Sequence, residues 1–107
     1  MNSTVFEIQA DFCKAMGNAT RLEILHCLRQ GPMIVGDIVR KTGLSQSVVS
    51  RQLGTLRNIG VVNCQKQGNE TIYQLTDKSI GELCDLVRKV LSTQLERQSK
   101  AFEQSML

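Results

Sequence analysis

The sequence is poor in aromatic residues, proline and histidine: it has no tryptophan, one tyrosine, one proline and one histidine among 107 residues. A collagen-like or low-complexity chain would contain far more glycine and proline than the 8 and 1 found here. No apolar run approaches the roughly 20 residues that a membrane-spanning helix needs. The first residues also lack the basic and then apolar order of a signal peptide. We therefore expect a cytoplasmic protein that has no membrane partner.

Catalytic motifs are missing as well. The only histidine is His26, and the sequence has no P-loop, no Gly-x-Ser-x-Gly motif and no His-Glu-x-x-His motif. A small thiol enzyme is an alternative only if folding brings His26 to a distant cysteine. We predict that the protein is not an enzyme.

The composition that remains is that of one ordinary domain, which we assign to residues 1–107. Hydrophobic residues make up 41% and charged residues 21%, with a net charge of +3. A mildly basic chain permits nucleic-acid binding without demonstrating it. The four cysteines contain no Cys-x-x-Cys pair, which excludes a zinc ribbon, and a reducing cytosol keeps them as thiols: Cys13, Cys27, Cys64 and Cys84.

Four helices are predicted in the first 60 residues. A capping box at Thr4–Glu7 starts the first helix and Gly17 ends it. Asn18 caps the second helix, which runs to Arg29 before the Gly31-Pro32 break. Two short helices, 35–42 and 46–59, follow with a Gly-containing turn between them and Ser45 as a cap. This arrangement over 35–59 is typical of a helix-turn-helix.

A β-hairpin and a long helix complete the predicted fold. Two strands, 61–67 and 71–75, flank a Gly68-Asn69 turn and form a wing over 61–75. A second capping box at Ser79–Glu82 starts the last helix, assigned to 78–102, whose apolar pattern fades after Glu96 so that 98–107 should fray. The predicted class is mainly α with a small β-hairpin, a winged helix-turn-helix in the order α-α-α-α-β-β-α.

The fourth helix carries the strongest functional pattern. Val49, Leu53 and Leu56 recur at core-facing spacing. The opposite face carries short or fork-shaped polar side chains, and no acidic residue occurs from 43 to 67: Gln46, Ser47, Ser50, Arg51 and Arg57. Arginine can bind guanine with two hydrogen bonds and glutamine can pair with adenine, so this face suits the major groove of DNA. A solvated helix face is also polar, but it usually mixes charges of both signs.

The wing tip suits contact with phosphate or with the minor groove through Lys66, Gln67 and Asn69, although Glu70 counts against it. The alternative to DNA binding is a winged-helix protein-interaction module, which predicts an apolar or acidic face on the fourth helix.

The last helix has an apolar stripe too long for so small a core, and we expect part of it to face a second subunit: Ile80, Cys84, Val87, Leu91 and Leu95, joined by Val5, Ile8 and Phe12.

Several of these segments resemble the ArsR/SmtB family of winged-helix repressors. The similarity covers about residues 5–95, and its clearest segments are 15–25, 44–53, 56–62 and 73–75. The resemblance implies a homodimer built on the first and last helices, an inverted-repeat operator in double-stranded DNA, and release by a metal, metalloid or redox signal. It also implies DNA-base contacts by four matching residues: Gln46, Ser47, Ser50 and Arg51.

The two usual sensor sites of that family are absent, so its metal ligands cannot be assigned here. The region 35–39 has no cysteine where metalloid-binding members have a Cys-x-Cys, and only Asp77 matches the zinc-binding members, with Ser79, Val90 and Thr93 at the other ligand positions. No cofactor is obligatory. Cys13 and Cys84, on the two helices implied in dimerisation, are the candidate sensors. Their thiols could bind As(III), Sb(III) or Cu(I), or react with an oxidant or reactive sulfur; alternatively they are simple core residues.

Overall fold

The computed structural model describes residues 3–106. The fold consists of five helices and a small antiparallel sheet, and the chain order is helix, helix, strand, helix, helix, strand, strand, helix. The elements are α1 Ser3–Met16, α2 Ala19–Leu28, β1 Met33–Ile34, α3 Val35–Thr42, α4 Gln46–Ile59, β2 Val62–Gln67, β3 Glu70–Leu75 and α5 Lys78–Ser105. The structure thus confirms the predicted winged helix-turn-helix. No helix within 3–106 is both long and apolar enough to cross a membrane.

Local capping explains most of the helix boundaries. The side chain of Asn18 accepts a hydrogen bond from the backbone N–H of Arg21 at the start of α2, and Ser45 does the same for Val48 at the start of α4. Gly43 and Gly60 end α3 and α4 with φ of 74° and 91°. Glycine adopts this left-handed conformation without the steric cost that other residues meet.

Three predicted helix ends are corrected. Helix α1 begins at Ser3, one residue before the predicted cap. Asp77, not Ser79, caps α5, because its carboxylate accepts the N–H of Ser79 at 2.7 Å. The expected fraying of 98–107 is wrong for the residues described, since α5 stays helical to Ser105. That segment contains the good helix formers Ala, Glu, Gln and Lys, which hold a helix without an apolar pattern.

The sheet contains one strand that the sequence pattern did not reveal. Residues Met33–Ile34 form β1, which pairs antiparallel with β3 and gives the order β1-β3-β2. Two residues are too short for an alternating pattern to be recognised. The hairpin itself has the predicted turn, and Gln67 lies opposite Glu70 in the register. The sheet therefore anchors the wing to the helix-turn-helix through the segment that precedes α3.

The core lies between α2, α3, α4 and the base of the wing. Completely buried side chains come from each of the three helices. The start of the wing contributes Val61 and Val62 to the same core. The fully buried set is Ile24, Leu25, Ile38, Val49, Leu53 and Leu56. Since three of these six lie on one side of α4, burial fixes the rotation of this helix and turns its other side to solvent.

Candidate nucleic-acid interface

The turn between α3 and α4 is held by a short hydrogen-bond chain. The Thr42 hydroxyl donates to the carbonyl of Ile38 at 2.7 Å and accepts the N–H of Leu44 at 3.2 Å. Gly43 supplies the left-handed conformation between them. These bonds fix the angle at which α4 leaves α3, and they set the approach of α4 to any surface in front of it.

The exposed face of α4 is polar and has no acid. The five predicted contact residues are all exposed there, and Gly54 and Asn58 share the face: Gln46, Ser47, Ser50, Arg51 and Arg57. In the described part of the chain, the ion pairs engage Arg29, Arg40 and Arg88 with aspartates, and neither Arg51 nor Arg57 takes part. Both guanidinium groups are thus available for phosphates or base edges.

The wing places a second polar surface at the end of the hairpin. Lys66, Gln67 and Asn69 are exposed at its tip, as is Glu70. Gly68 has a φ of 63° at the first central position of the two-residue turn, where hairpins that match strand twist favour glycine. The tip is therefore an accessible two-residue turn flanked by one cation and one acid, and its lysine and amide side chains fit a backbone-contacting role.

The two candidate sensor cysteines line one groove. It has a volume of about 390 Å³ and lies between α1, α2 and α5, with Phe12, Met16, Leu83 and Leu91 among its apolar walls. Cys13 is exposed and Cys84 is buried. Burial raises the pKa of the Cys84 thiol. The carboxylate of Asp85 also raises this pKa, whereas the positive charges of Arg88 and Arg29 lower it by less than burial raises it.

The other sequence candidates lie outside this groove. Cys27 is buried in the core with its Sγ 3.4 Å from the Sδ of Met33, and burial raises its pKa. Cys64 is half-buried on the wing, and His26 is exposed on α2. Asp77 caps α5, and the hydrogen bonds from Ser79 lower the pKa of its carboxyl. No cluster of three His, Cys, Asp or Glu suited to a metal ion exists within the described residues.

Sequence reasoning missed one pair of polar residues behind the interface. Arg21 donates from Nε to Oε1 of Gln52 at 2.8 Å, which joins α2 to α4. A faint signal was present, because arginine is an unfavourable residue in the first turn of a helix. The partner could not be inferred, since 31 positions separate the two residues.

Comparisons with known proteins agree with this architecture. Residues 18–63 match the model of the bacterial regulatory protein, arsR family. The chain is 36% identical over 89 residues to the uncharacterised HTH-type transcriptional regulator Rv0081 of Mycobacterium tuberculosis, covering 82% of this chain and 78% of that protein. The chain belongs to the arsR family. Its members are transcriptional regulators, which confirms that the protein is not an enzyme.

Two solved structures share this fold, and a further relative is similar in sequence. The crystal structure of Rv0081 matches with a TM-score of 0.80 and 35% identity, covering 88% of this chain and 95% of that one. The homodimeric winged helix-turn-helix DNA-binding domain Mb0332 of Mycobacterium bovis matches with a TM-score of 0.78 and 29% identity, covering 89% and 88%. NmtR of M. tuberculosis, an HTH-type regulator, is 40% identical over 76 residues, or 71% of this chain and 63% of NmtR.

Proposed function

We propose that this arsR-family regulator is a homodimeric repressor that binds an inverted-repeat operator in double-stranded DNA through α4. The observation that carries the proposal is the exposed, acid-free face of α4 with two unpaired arginines, Arg51 and Arg57. Gln46, Ser47 and Ser50 lie toward the N-terminus of the same face, where short polar side chains can reach base edges. Lys66, Gln67 and Asn69 on the wing contact the DNA backbone beside it. Such a regulator acts in the cytoplasm, beside the chromosome.

The dimer is proposed from the apolar surface that one subunit leaves exposed. Side chains on α1 and α5 that would normally be buried are at least half exposed, and they continue along both helices: Val5, Ile8, Val87, Val90, Leu91 and Leu95. Obligate dimers bury surfaces of this kind. A two-fold axis there would place two α4 helices about 34 Å apart, one turn of DNA.

A salt-dependent gel shift tests DNA binding. The purified protein is titrated into a random duplex and into an operator selected from a random library by the protein itself. We expect binding to both, with a steep loss of affinity as salt rises and a preference for the operator of at least a thousandfold. A protein that shifts neither duplex at low salt is instead a winged-helix protein-interaction module.

The inducer is proposed to act on the thiols of the groove between α1 and α5. Cys13 is accessible and Cys84 lies buried in the same groove. A soft ion such as As(III), Sb(III) or Cu(I) would bind both sulfurs as thiolates, releasing their protons. A two-electron oxidant or a polysulfide would instead join the sulfurs directly or through sulfur atoms. Either link ties α1 to α5 and alters the spacing of the two α4 helices.

Release of the selected operator tests this switch. As(III), Sb(III), Cd(II), Zn(II), peroxide and polysulfide are each added to the bound complex of the wild type, of Cys13→Ser and of Cys84→Ser. Coupling between sites in such proteins is typically about 5- to 150-fold in affinity. We expect a loss within that range for a thiol-directed agent in the wild type and none in the two variants. Cys27→Ser is the control, since its buried sulfur lies outside the groove. A response that survives both groove substitutions contradicts the proposed switch.

A further inference from the structure

Arg21 sits where a helix favours the opposite charge. It is the third residue of α2, and its backbone N–H is the one that the Asn18 cap binds, at 3.1 Å. The N-terminal turn of a helix carries partial positive charge, which disfavours a cation by the helix dipole. Contacts outside α2 must therefore compensate for placing an arginine there.

Those contacts reach two other helices. Nη1 of Arg21 donates to the carbonyl of Ala15 at 2.6 Å, and Nε donates to Oε1 of Gln52 at 2.8 Å. Ala15 lies in the last turn of α1, where carbonyls lack helical partners and carry partial negative charge. The carbonyls on either side of it, of Lys14 and Met16, are already bound by backbone N–H groups. Arg21 thus completes the end of α1.

Gln52 stands at the border between the core side and the exposed face of α4. It is half-buried, while its neighbours Arg51 and Leu53 are exposed and fully buried. A hydrogen bond at this border resists both rotation and sliding of the helix. The planar fork of arginine holds two acceptors in fixed directions, which the single point charge of lysine does not.

We propose that Arg21 is a positioning residue for DNA recognition: it fastens α4 through Gln52 to the C-terminal end of α1. Helix α1 contributes Val5 and Ile8 to the exposed apolar surface at which the two subunits are proposed to meet. Core packing fixes the rotation of α4, and the two hydrogen bonds of Arg21 couple that helix to the one at which the subunits are proposed to meet. This role rests on the proposed binding of DNA by α4.

Gln52→Met tests the role without changing the charge of the protein. Affinity is measured for the selected operator and for a random duplex of the same length. We expect operator affinity to fall about tenfold, the size of one hydrogen bond to a charged group. Random-duplex affinity should stay unchanged, because nonspecific binding depends on the lysines and arginines that contact phosphates, and this change removes none. Gln52→Glu keeps an acceptor for Arg21 and should restore the ratio of the two affinities to its wild-type value.

Arg21→Met and Arg29→Met form a matched pair. Both remove one cation from the α2 region, but Arg29 pairs with Asp85 of α5 and has no contact with Gln52 in the described structure. Random-duplex affinity should change little and equally in the two variants, since neither arginine lies on the proposed DNA-contacting face, whereas only Arg21→Met should lower the ratio of operator to random affinity. Arg21→Lys should lower that ratio too. The losses in Arg21→Met and Gln52→Met should not add in the double variant, since both break the hydrogen bond between Arg21 and Gln52.

Two results would overturn this role, and they differ from a failure of DNA binding. An unchanged ratio in Gln52→Met shows that the bond does not position α4. Equal losses on both duplexes, with a matching fall in the thermal midpoint, show that Arg21 serves only folding. If the wild type bound neither duplex, the proposed function itself would fail, and this role with it.

Discussion

Within residues 3–106, the two arginines of α4 have no acidic partner, whereas three of the other arginines do. Arg29 and Arg88 share Asp85, and Arg40 pairs with Asp37. Arg51 and Arg57 lie in a stretch of sequence without acids and form no ion pair with a described residue, so both charges are available for the proposed DNA contact. The absence of a competing carboxylate is as important as the arginine itself, because an intramolecular ion pair would have to break before a base is bound.

Arg51→Ala should lower affinity for the selected operator by about 1–3 kcal/mol and relax the preference for one base. Lys66→Ala on the wing is the contrasting variant. It should weaken binding to all sequences and reduce the slope of log affinity against log salt by about one unit. Binding curves at several salt concentrations separate the two effects. An unchanged base preference in Arg51→Ala would mean that another face of the protein reads the DNA.

The two groove cysteines should differ in reactivity. Cys13 is exposed, whereas burial raises the pKa of Cys84 above its ordinary value of 9.0. Because the thiolate is the reacting form, iodoacetamide should label Cys13 first, and labelling of Cys84 should still accelerate above pH 9.0. The fold favours the neutral Cys84 thiol, so its contribution to stability is present below pH 9.0 and is lost above it.

Mass spectrometry of labelled peptides at a series of pH values measures this difference. Cys27, also buried with a raised pKa, is the internal reference for slow labelling. If Cys84 is labelled as fast as Cys13 near neutral pH, the groove opens more than the structure indicates.

Helix α4 combines a rigid core side with an unusual residue on its exposed side. Gly54 lies in the middle of the helix, between the positions of Arg51 and Arg57, and a Cβ built there meets nothing within 4 Å. Glycine weakens a helix interior relative to alanine by about 0.5–1 kcal/mol. Nothing inside the subunit requires it, and a missing side chain on this face lets the helix backbone approach a surface closely.

Gly54→Ala should therefore stabilise the free protein by about 0.5–1 kcal/mol. Urea unfolding measures the change. Gly81→Ala on α5 is the control, because its Cβ would lie 2.3 Å from Cδ of Arg29 and would displace that side chain from Asp85. The control should gain less stability or lose some. If Gly54→Ala is not more stable than the wild type, the added methyl group meets a contact in the free protein, and this face of α4 is not open.

A single subunit leaves much of its apolar surface uncovered. Helix α5 is 28 residues long, but its buried residues, Gly81 and Cys84, lie near its beginning. Beyond them, Val87, Leu91 and Leu95 are at least half exposed. A core of this size cannot cover so long a stripe, and a second copy with the same stripe can.

Leu91→Glu should convert the dimer to monomers and weaken operator binding, because one subunit reads only half of an inverted repeat. Lys89→Gln is the control: it changes the net charge by the same amount and lies about 200° further round the helix. Light scattering at micromolar concentration measures the assembly. A monomeric wild type under these conditions would contradict the proposed dimer.

Local sequence signals determine most of the helix boundaries and the exposed face of α4. The caps Asn18 and Ser45, the stop glycines Gly43 and Gly60, and the 3.6-residue pattern of α4 act within a few positions of one another. Such local signals can be recognised in the sequence alone, and they predicted the order of the helices and of the hairpin. The exposed face of α4 was predictable for the same reason, since the core-facing residues Val49, Leu53 and Leu56 define its opposite side.

Contacts between distant residues were decided only by folding. The hydrogen bond between Arg21 and Gln52 spans 31 positions, and that between Arg29 and Asp85 spans 56. Strand β1 forms only because Met33 pairs with Tyr73 of β3. Two-residue strands and single side-chain bonds leave no periodic trace in a sequence. The same holds for the contrast between an exposed Cys13 and a buried Cys84, because burial depends on how α1, α2 and α5 pack against one another.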